Sequence, residues 1–161
     1  MIEILRKSNK LRDIGIRDCV YVIYSTHDKQ MMKIYLRACY CNTYILMLNK
    51  LLKQHKLPSI KIGIGLATSK TLVIKAGRKY VGINDKIWIG NSVIDASNFS
   101  AIANTGNFGA IVMSPNFYKY ILEYEEDIHE DIIKKDSKYG ECYSANIIIT
   151  DFEEWINEGM K

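Results

Sequence analysis

Histidine and proline are scarce in this chain of 161 residues, at three and two copies respectively. His27, His55 and His129 are far apart, so no histidine cluster offers itself as a metal site. The four cysteines, Cys19, Cys39, Cys41 and Cys142, also lack ligand-like spacing and read as reduced structural thiols. No stretch approaches the roughly 18 uninterrupted apolar residues of a membrane span. No charged segment followed by a short apolar block opens the chain, so the reading is cytoplasmic with no membrane partner. Charge of one sign is never concentrated: 22 Lys and Arg stand against 18 Asp and Glu, a net +4. The basic residues are scattered and the 131–138 region alternates in sign, which argues against nucleic acid as a partner. Internal repeats and low-complexity linkers are absent as well.

What is present is the composition of one globular domain over residues 1–161, 48% hydrophobic and 25% charged. Met1 to about Lys7 reads as the last turns of a helix, so the domain is expected to be N-terminally incomplete. Leu11 to Ser25 predicts a β-hairpin that reverses at Arg17-Asp18, with β-branched and aromatic residues in CVYVIY. Ser25-Thr26-His27-Asp28 supplies helix-start chemistry for a long helix ending near His55. Its core stripe is Met31, Ile34, Tyr35, Ala38, Ile45, Leu48 and Leu52. Strands are expected at Ile60–Ala67 and Thr71–Ala76, joined as a second hairpin through Thr68-Ser69-Lys70. A helix follows over Asn91 to about Ala103, then a strand over Gly109–Met113. Ser114-Pro115 starts another helix with Phe117, Tyr120 and Ile121 inward. Glu123–Lys138 reads as an exposed frayed helix or loop, Tyr143–Thr150 as a last strand and Asp151–Asn157 as a terminal turn of helix. The pattern predicts an α+β fold, a ferredoxin-like antiparallel sheet with helices on one face and its first strand missing.

GIGLATSK, Gly63 to Lys70, lacks the spacing of a phosphate loop. Its alternation places Gly63 and Gly65 within a strand, where they let a helix approach closely. Asp18, at a hairpin tip, is placed either to accept backbone hydrogen bonds or to project toward a divalent ion. The run from Lys79 to Gly106 combines a glycine-containing loop, an aromatic residue and a helix poor in bulky side chains.

IKIGIG, IKAG, the GIND loop, the pair Trp88 and Gly90, and Val93 followed by Ala96-Ser97 together resemble the catalytic domain of class III nucleotidyl cyclases. The resemblance is closest to the bacterial Pycsar pyrimidine cyclases, and extends from about Leu11 through RDIGIRDCVYVIYST to IVMSPNFYKYI. It implies conversion of UTP or CTP to the 3′,5′-cyclic monophosphate plus pyrophosphate, a second messenger read by a downstream effector in anti-phage defence. It also implies a homodimer with composite sites and two divalent ions, manganese or magnesium. In such chemistry the ribose 3′-oxygen attacks the α-phosphate, and a cation beside that phosphate stabilises transition-state charge.

Carried over position by position, Asp18 matches the second metal carboxylate. The first belongs to a strand before Met1. Arg17 stands directly before Asp18, where the family has glycine, and the arginine itself matches the pyrimidine-cyclase pattern one place earlier. Arg17, Asp85 and Trp88 fall among the substrate-binding positions, with Lys86 an alternative register for Asp85. The ribose-orienting asparagine falls on Ile94, and the transition-state arginine or lysine on Asn98. Asn91, Asp95 and Asn98 share one helix face, as alternative polar groups or as a solvated surface. The departures support a second reading, an inactive cyclase-like domain that binds nucleotide or dimerises.

Overall fold

The computed structural model describes residues 3, 11–16, 19–25, 30–77, 84–123 and 131–160. Most of the expected helix end over Met1–Lys7, the Arg17-Asp18 pair and residues 26–29, 78–83 and 124–130 lie outside them. β1 (Leu11–Ile16) and β2 (Val20–Tyr24) form the expected hairpin, closed by the pair Ile16 and Val20. α1 (Met31–Gln54) follows and ends in a turn where Lys56 takes a positive φ. After Pro58, the Asn49 amide both donates to the Ile60 carbonyl and accepts the Ile60 N–H, at 2.9 and 2.8 Å. This clamp aims the chain into β3 (Ile64–Leu66). β4 (Leu72–Gly77) and β5 (Asn84–Ile89) come next, then α2 (Asn91–Ile102), β6 (Ile111–Met113) and α3 (Pro115–Leu122). β7 (Ile132–Ser137), β8 (Gly140–Ala145) and α4 (Thr150–Asn157) complete the described elements.

The class is α+β. The main sheet runs β3-β6-β8-β7, with β3 parallel to β6 and the other pairs antiparallel, so it is mixed rather than antiparallel. Helices cover both faces, and β6 shows why. Ile111 and Met113 point into a cluster with Met31, Tyr35 and Ala38 of α1 and Phe117 of α3. Val112 points the other way, among Phe99, Ile102 and Cys142. Successive strand side chains alternate in direction, so an uninterrupted apolar strand needs a helix on each side. Of the expected α1 stripe, Met31, Tyr35, Ala38 and Ile45 are buried, while Leu48 and Leu52 are half-buried.

Further expectations about single elements are corrected. The 60–67 and 71–76 segments do not form a hairpin with each other. β3 pairs with β6, and β4 pairs with β5. Between them the Ser69 hydroxyl accepts the Ser92 N–H at 3.0 Å, which ties the connection to the start of α2 instead of folding it back. Residues 132–137 are an edge strand, not a loop or helix. Ile132 is buried, and the Lys134 amine pairs with Glu141 across the ladder at 2.5 Å. Gly140, at φ +99°, supplies the left-handed position for the Ser137–Gly140 reversal. Finally, β8 stops at Ala145. Beyond it the Ile147 carbonyl accepts the Asn42 amide and the Ile149 N–H donates to the Thr43 hydroxyl, so α1 captures backbone groups that a longer strand would use. In α3 the Ser114 hydroxyl accepts the Phe117 N–H at 3.3 Å, as the Ser-Pro start requires, but Tyr118 is more deeply buried than Tyr120.

Candidate functional site

The two glycines of IGIGL decide where α2 lies. A Cβ on Gly65 would fall 1.9 Å from the Ala96 carbonyl oxygen and 2.6 Å from the Ser100 nitrogen. One on Gly63 would fall 2.2 Å from the Ser100 carbonyl oxygen. The helix therefore rests directly on the backbone of β3, which explains the small residues Ala96 and Ser100 on its inner side. Its first turn is held by hydroxyls: Ser69 accepts from the Ser92 N–H, and Thr71 and Ser92 are 3.2 Å apart.

A cleft of about 800 Å³ opens between the β1–β2 hairpin, α1, β3 and α2. Its polar contributions include Arg37, Lys61, Ser69 and Ser97. The Arg37 guanidinium lies 5.9 Å from the centre of the Tyr24 ring and donates to the Lys33 carbonyl at 3.0 Å. Burial raises the Tyr24 pKa, and the Arg37 charge opposes that rise without cancelling it. Cys41 also lines the cleft, and burial pushes its thiol up to about 11. Cys39 beside it is pushed up to about 12, again chiefly by burial. These are neutral core thiols, not thiolate ligands or nucleophiles.

Arg17 and Asp18 lie outside the described residues; the neighbouring Cys19 is exposed and borders the cleft. Asp85 pairs with Ala76 in the β4–β5 ladder, and its side chain is not among those described. Trp88 pairs with Val73 and is half-buried, and Lys86 is exposed. Ile94 is 60% exposed and Asn98 is half-buried. Neither lines the cleft, whereas Val93, Ala96, Ser97 and Ser100 of the same helix do. Ile94 and Asn98 each lie two residues from Ala96, about 200° around the helix, so they face away from β3. The fold thus separates the hairpin side of the cleft from the Ile94–Asn98 face within one subunit. Among the described residues no group of three or more His, Cys, Asp or Glu could hold a metal ion. Asp18, the carboxylate expected to hold a divalent ion, lies outside the residues this statement covers.

Sequence reasoning did not find Arg37 as a cleft residue, because on a helix pattern it reads as a solvated charge. It placed Ser69 correctly in a connection, but nothing local to that connection pointed to Ser92.

No protein-family profile matches the chain, and no solved structure matches it. Two curated proteins do. A uridylate cyclase of Treponema porcinum is 41% identical over 166 residues, covering 99% of this chain and 56% of that protein. A uridylate cyclase of Gulbenkiania mobilis is 27% identical over 173 residues, covering 98% of this chain and 67% of that protein. The chain therefore spans little more than half the length of the first relative.

Proposed function

From a chain that is a homologue of the uridylate cyclases along nearly its whole length, we propose a pyrimidine nucleotide cyclase whose substrate is UTP. The single observation that carries this reading is the 41% identity over 99% of the chain. The reaction closes a ring: the ribose 3′-oxygen bonds to the α-phosphorus, and the bond to the pyrophosphate leaving group breaks.

Two copies acting together account for the separation of the hairpin from the Ile94–Asn98 face. The exposed face of the β4–β5 hairpin supports such a homodimer. Leu72, Ile74, Ile87 and Ile89 stand on one side of that ribbon, each more than 40% exposed. An isolated two-stranded ribbon is marginal in water, and contiguous exposed apolar residues mark contact surfaces. Asp18 is the chain's own candidate for holding a manganese or magnesium ion, which would lower the barrier by polarising the substrate phosphates. A cyclic nucleotide made in this way would act in the cytoplasm as a second messenger, read by an effector during phage infection.

The second reading, a nucleotide-binding or dimerising module without turnover, is favoured by Ile94 and Asn98 at the family's asparagine and cation positions. One assay separates the two. The polypeptide is incubated with UTP or CTP and manganese, and cyclic products are quantified by mass spectrometry while triphosphate binding is measured by calorimetry. Cyclic UMP in excess of cyclic CMP is expected. UTP binding without product would support the module instead, and neither binding nor product would remove the cyclase and leave only a dimerising role.

A further inference from the structure

β7 is the last strand of the main sheet, and among the described residues it pairs with β8 alone. The direction of its free backbone groups follows from the other end of the sheet. The Ala110 carbonyl accepts the Ile64 N–H and the Ser114 N–H donates to the Leu66 carbonyl, so Ala110 and Ser114 face β3. Backbone direction alternates along a strand, so Val112 faces β3 too, while Ile111 and Met113 face β8. Their partners there are Ala145 and Tyr143, so Ser144 and Cys142 turn to Ile133 and Lys135 of β7. The N–H and C=O of Ile132, Lys134 and Asp136 are left pointing outward. Asp131, Ile133 and Lys135 meanwhile share one side-chain face. Ile133 is 60% exposed there, beside a cavity of about 590 Å³ that Asp131, Lys135, Phe108 and Asn107 also border.

We propose that this edge docks on its own counterpart in a second copy of the chain: β7 pairs antiparallel with β7, in the register that sets Ile133 opposite Ile133. Ile132 and Lys134 then become hydrogen-bonded partners in both directions, which uses the outward backbone groups. The two exposed Ile133 side chains cover each other. Asp131 of each copy stands opposite Lys135 of the other, so the shared face carries matched charges at both ends. Neighbouring registers fail. Centring on Lys134 or Lys135 sets that lysine against itself, and centring on Ile132 sets Asp131 against Ile133. A register centred between two residues opposes an outward-facing backbone group to an inward-facing one. The lysines thus guard the edge against other strands while admitting this one. Lys135 donates to the Asn107 carbonyl and lies 5.4 Å from the centre of the Phe108 ring, which holds its amine on this face. One short ladder buries little area, so the contact forms only on the order of 0.5 mM, above the concentration proposed for β4–β5 pairing. The inference uses backbone direction and charge pattern alone and does not depend on cyclase activity.

Sedimentation of the full polypeptide carrying Leu72→Lys with Ile89→Lys, which silences the β4–β5 ribbon, tests it. The apparent mass should climb toward double between about 10 µM and 0.5 mM. In that background, Asp131→Lys alone and Lys135→Asp alone should each stay monomeric, because like charges then face each other. An equimolar mixture of those two chains should associate, since each supplies the charges the other lacks, and both exchanges within one chain should restore self-association. If Lys135→Asp disturbs the Asn107 loop, Ile133→Lys, on a side chain already exposed, should give the same loss. In the associated sample the Ile132 and Lys134 amides should exchange at least about tenfold more slowly than in the dilute one. A sample still monomeric at about 0.5 mM, a mixture of the two single variants that stays monomeric, or association that leaves those two amides unprotected would overturn the proposal.

Discussion

At the scale of single residues, Gly65 and Gly106 make a controlled pair. Both are glycine for different reasons, and only one touches its surroundings. Gly65→Ala forces a methyl group against the Ala96 and Ser100 backbone, which cannot rotate away. We expect a loss of about 1–3 kcal/mol or more, together with displacement of α2. Gly106, at φ +53°, has nothing within 4 Å of the place an added methyl would take, so Gly106→Ala carries only the left-handed penalty of about 1–2 kcal/mol. A Gly65→Ala loss smaller than that of Gly106→Ala in denaturant titrations would mean that α2 does not rest on β3 as described. The thiols give a second test. Cys39 and Cys41 hold protons in the fold up to about 12 and 11, against 9.0 for an unperturbed thiol. Because the folded pKa values are raised, stability is fully present below pH 9 and falls as pH rises above it. The expected slope is about 1.4 kcal/mol per pH unit for each thiol in that window. Cys39→Ala with Cys41→Ala should reduce the slope between about pH 9 and 10.5, while Cys142, Tyr24 and Tyr35, also raised by burial, keep a part of it. Exposed Cys19 should alkylate in the native state, and buried Cys39, Cys41 and Cys142 only on unfolding.

At the scale of elements, legibility in the sequence followed how local each cause was. α1 and α3 were readable because a long apolar stripe and a Ser-Pro start are written in neighbouring residues. The close approach at Gly63 and Gly65 was readable too, since strand alternation with glycine on one face has few other uses. The partner of β3 was not. Pairing with β6 spans 47 positions, from Ile64 to Ile111, and local turn residues point to a nearer partner instead. β7 was hidden because its outward lysines and aspartate resemble a solvated helix, and only Ile132 betrays a buried side. Of the candidate site, the family resemblance pointed to Ile94 and Asn98 but could not say that they face away from the cleft. The β4–β5 ribbon carries the prediction at this scale. Leu72→Lys with Ile89→Lys places two like charges opposite each other on its apolar face. The variant should sediment as a monomer at tens of micromolar where the unmodified chain is a dimer, with the main-sheet fold retained by circular dichroism. A monomeric unmodified chain at that concentration would refute the proposed assembly.

At the scale of the whole molecule, the arrangement of α2 sets what a second copy would contribute in the proposed homodimer. Its inner side is consumed by β3, so Ile94 and Asn98 meet a substrate only if one is presented to the outer side. In a two-fold pair, the hairpin side of one subunit can face the outer side of α2 in the other. On the proposed cyclase reading, Ile94 would then offer an apolar surface where a ribose needs a hydrogen-bonding group, and Asn98 a neutral amide where phosphate charge develops. Ile94→Asn with Asn98→Lys supplies both. The lysine meets charge that grows at the α-phosphate in the transition state, so it should act on kcat more than on substrate binding. The asparagine holds the ribose with its 3′-oxygen aligned for attack. Restoring one such electrostatic group is worth on the order of 10²–10³ in rate. The double variant of the full polypeptide should therefore form cyclic UMP at least about a hundredfold faster, with UTP affinity changed far less. Adding Leu72→Lys and Ile89→Lys to that variant should abolish the gain, because a monomer cannot bring the two surfaces together. A gain that survives in the monomer would place the whole site within one subunit. A double variant slower than the unmodified protein would mean that Ile94 and Asn98 are themselves the working residues at those positions.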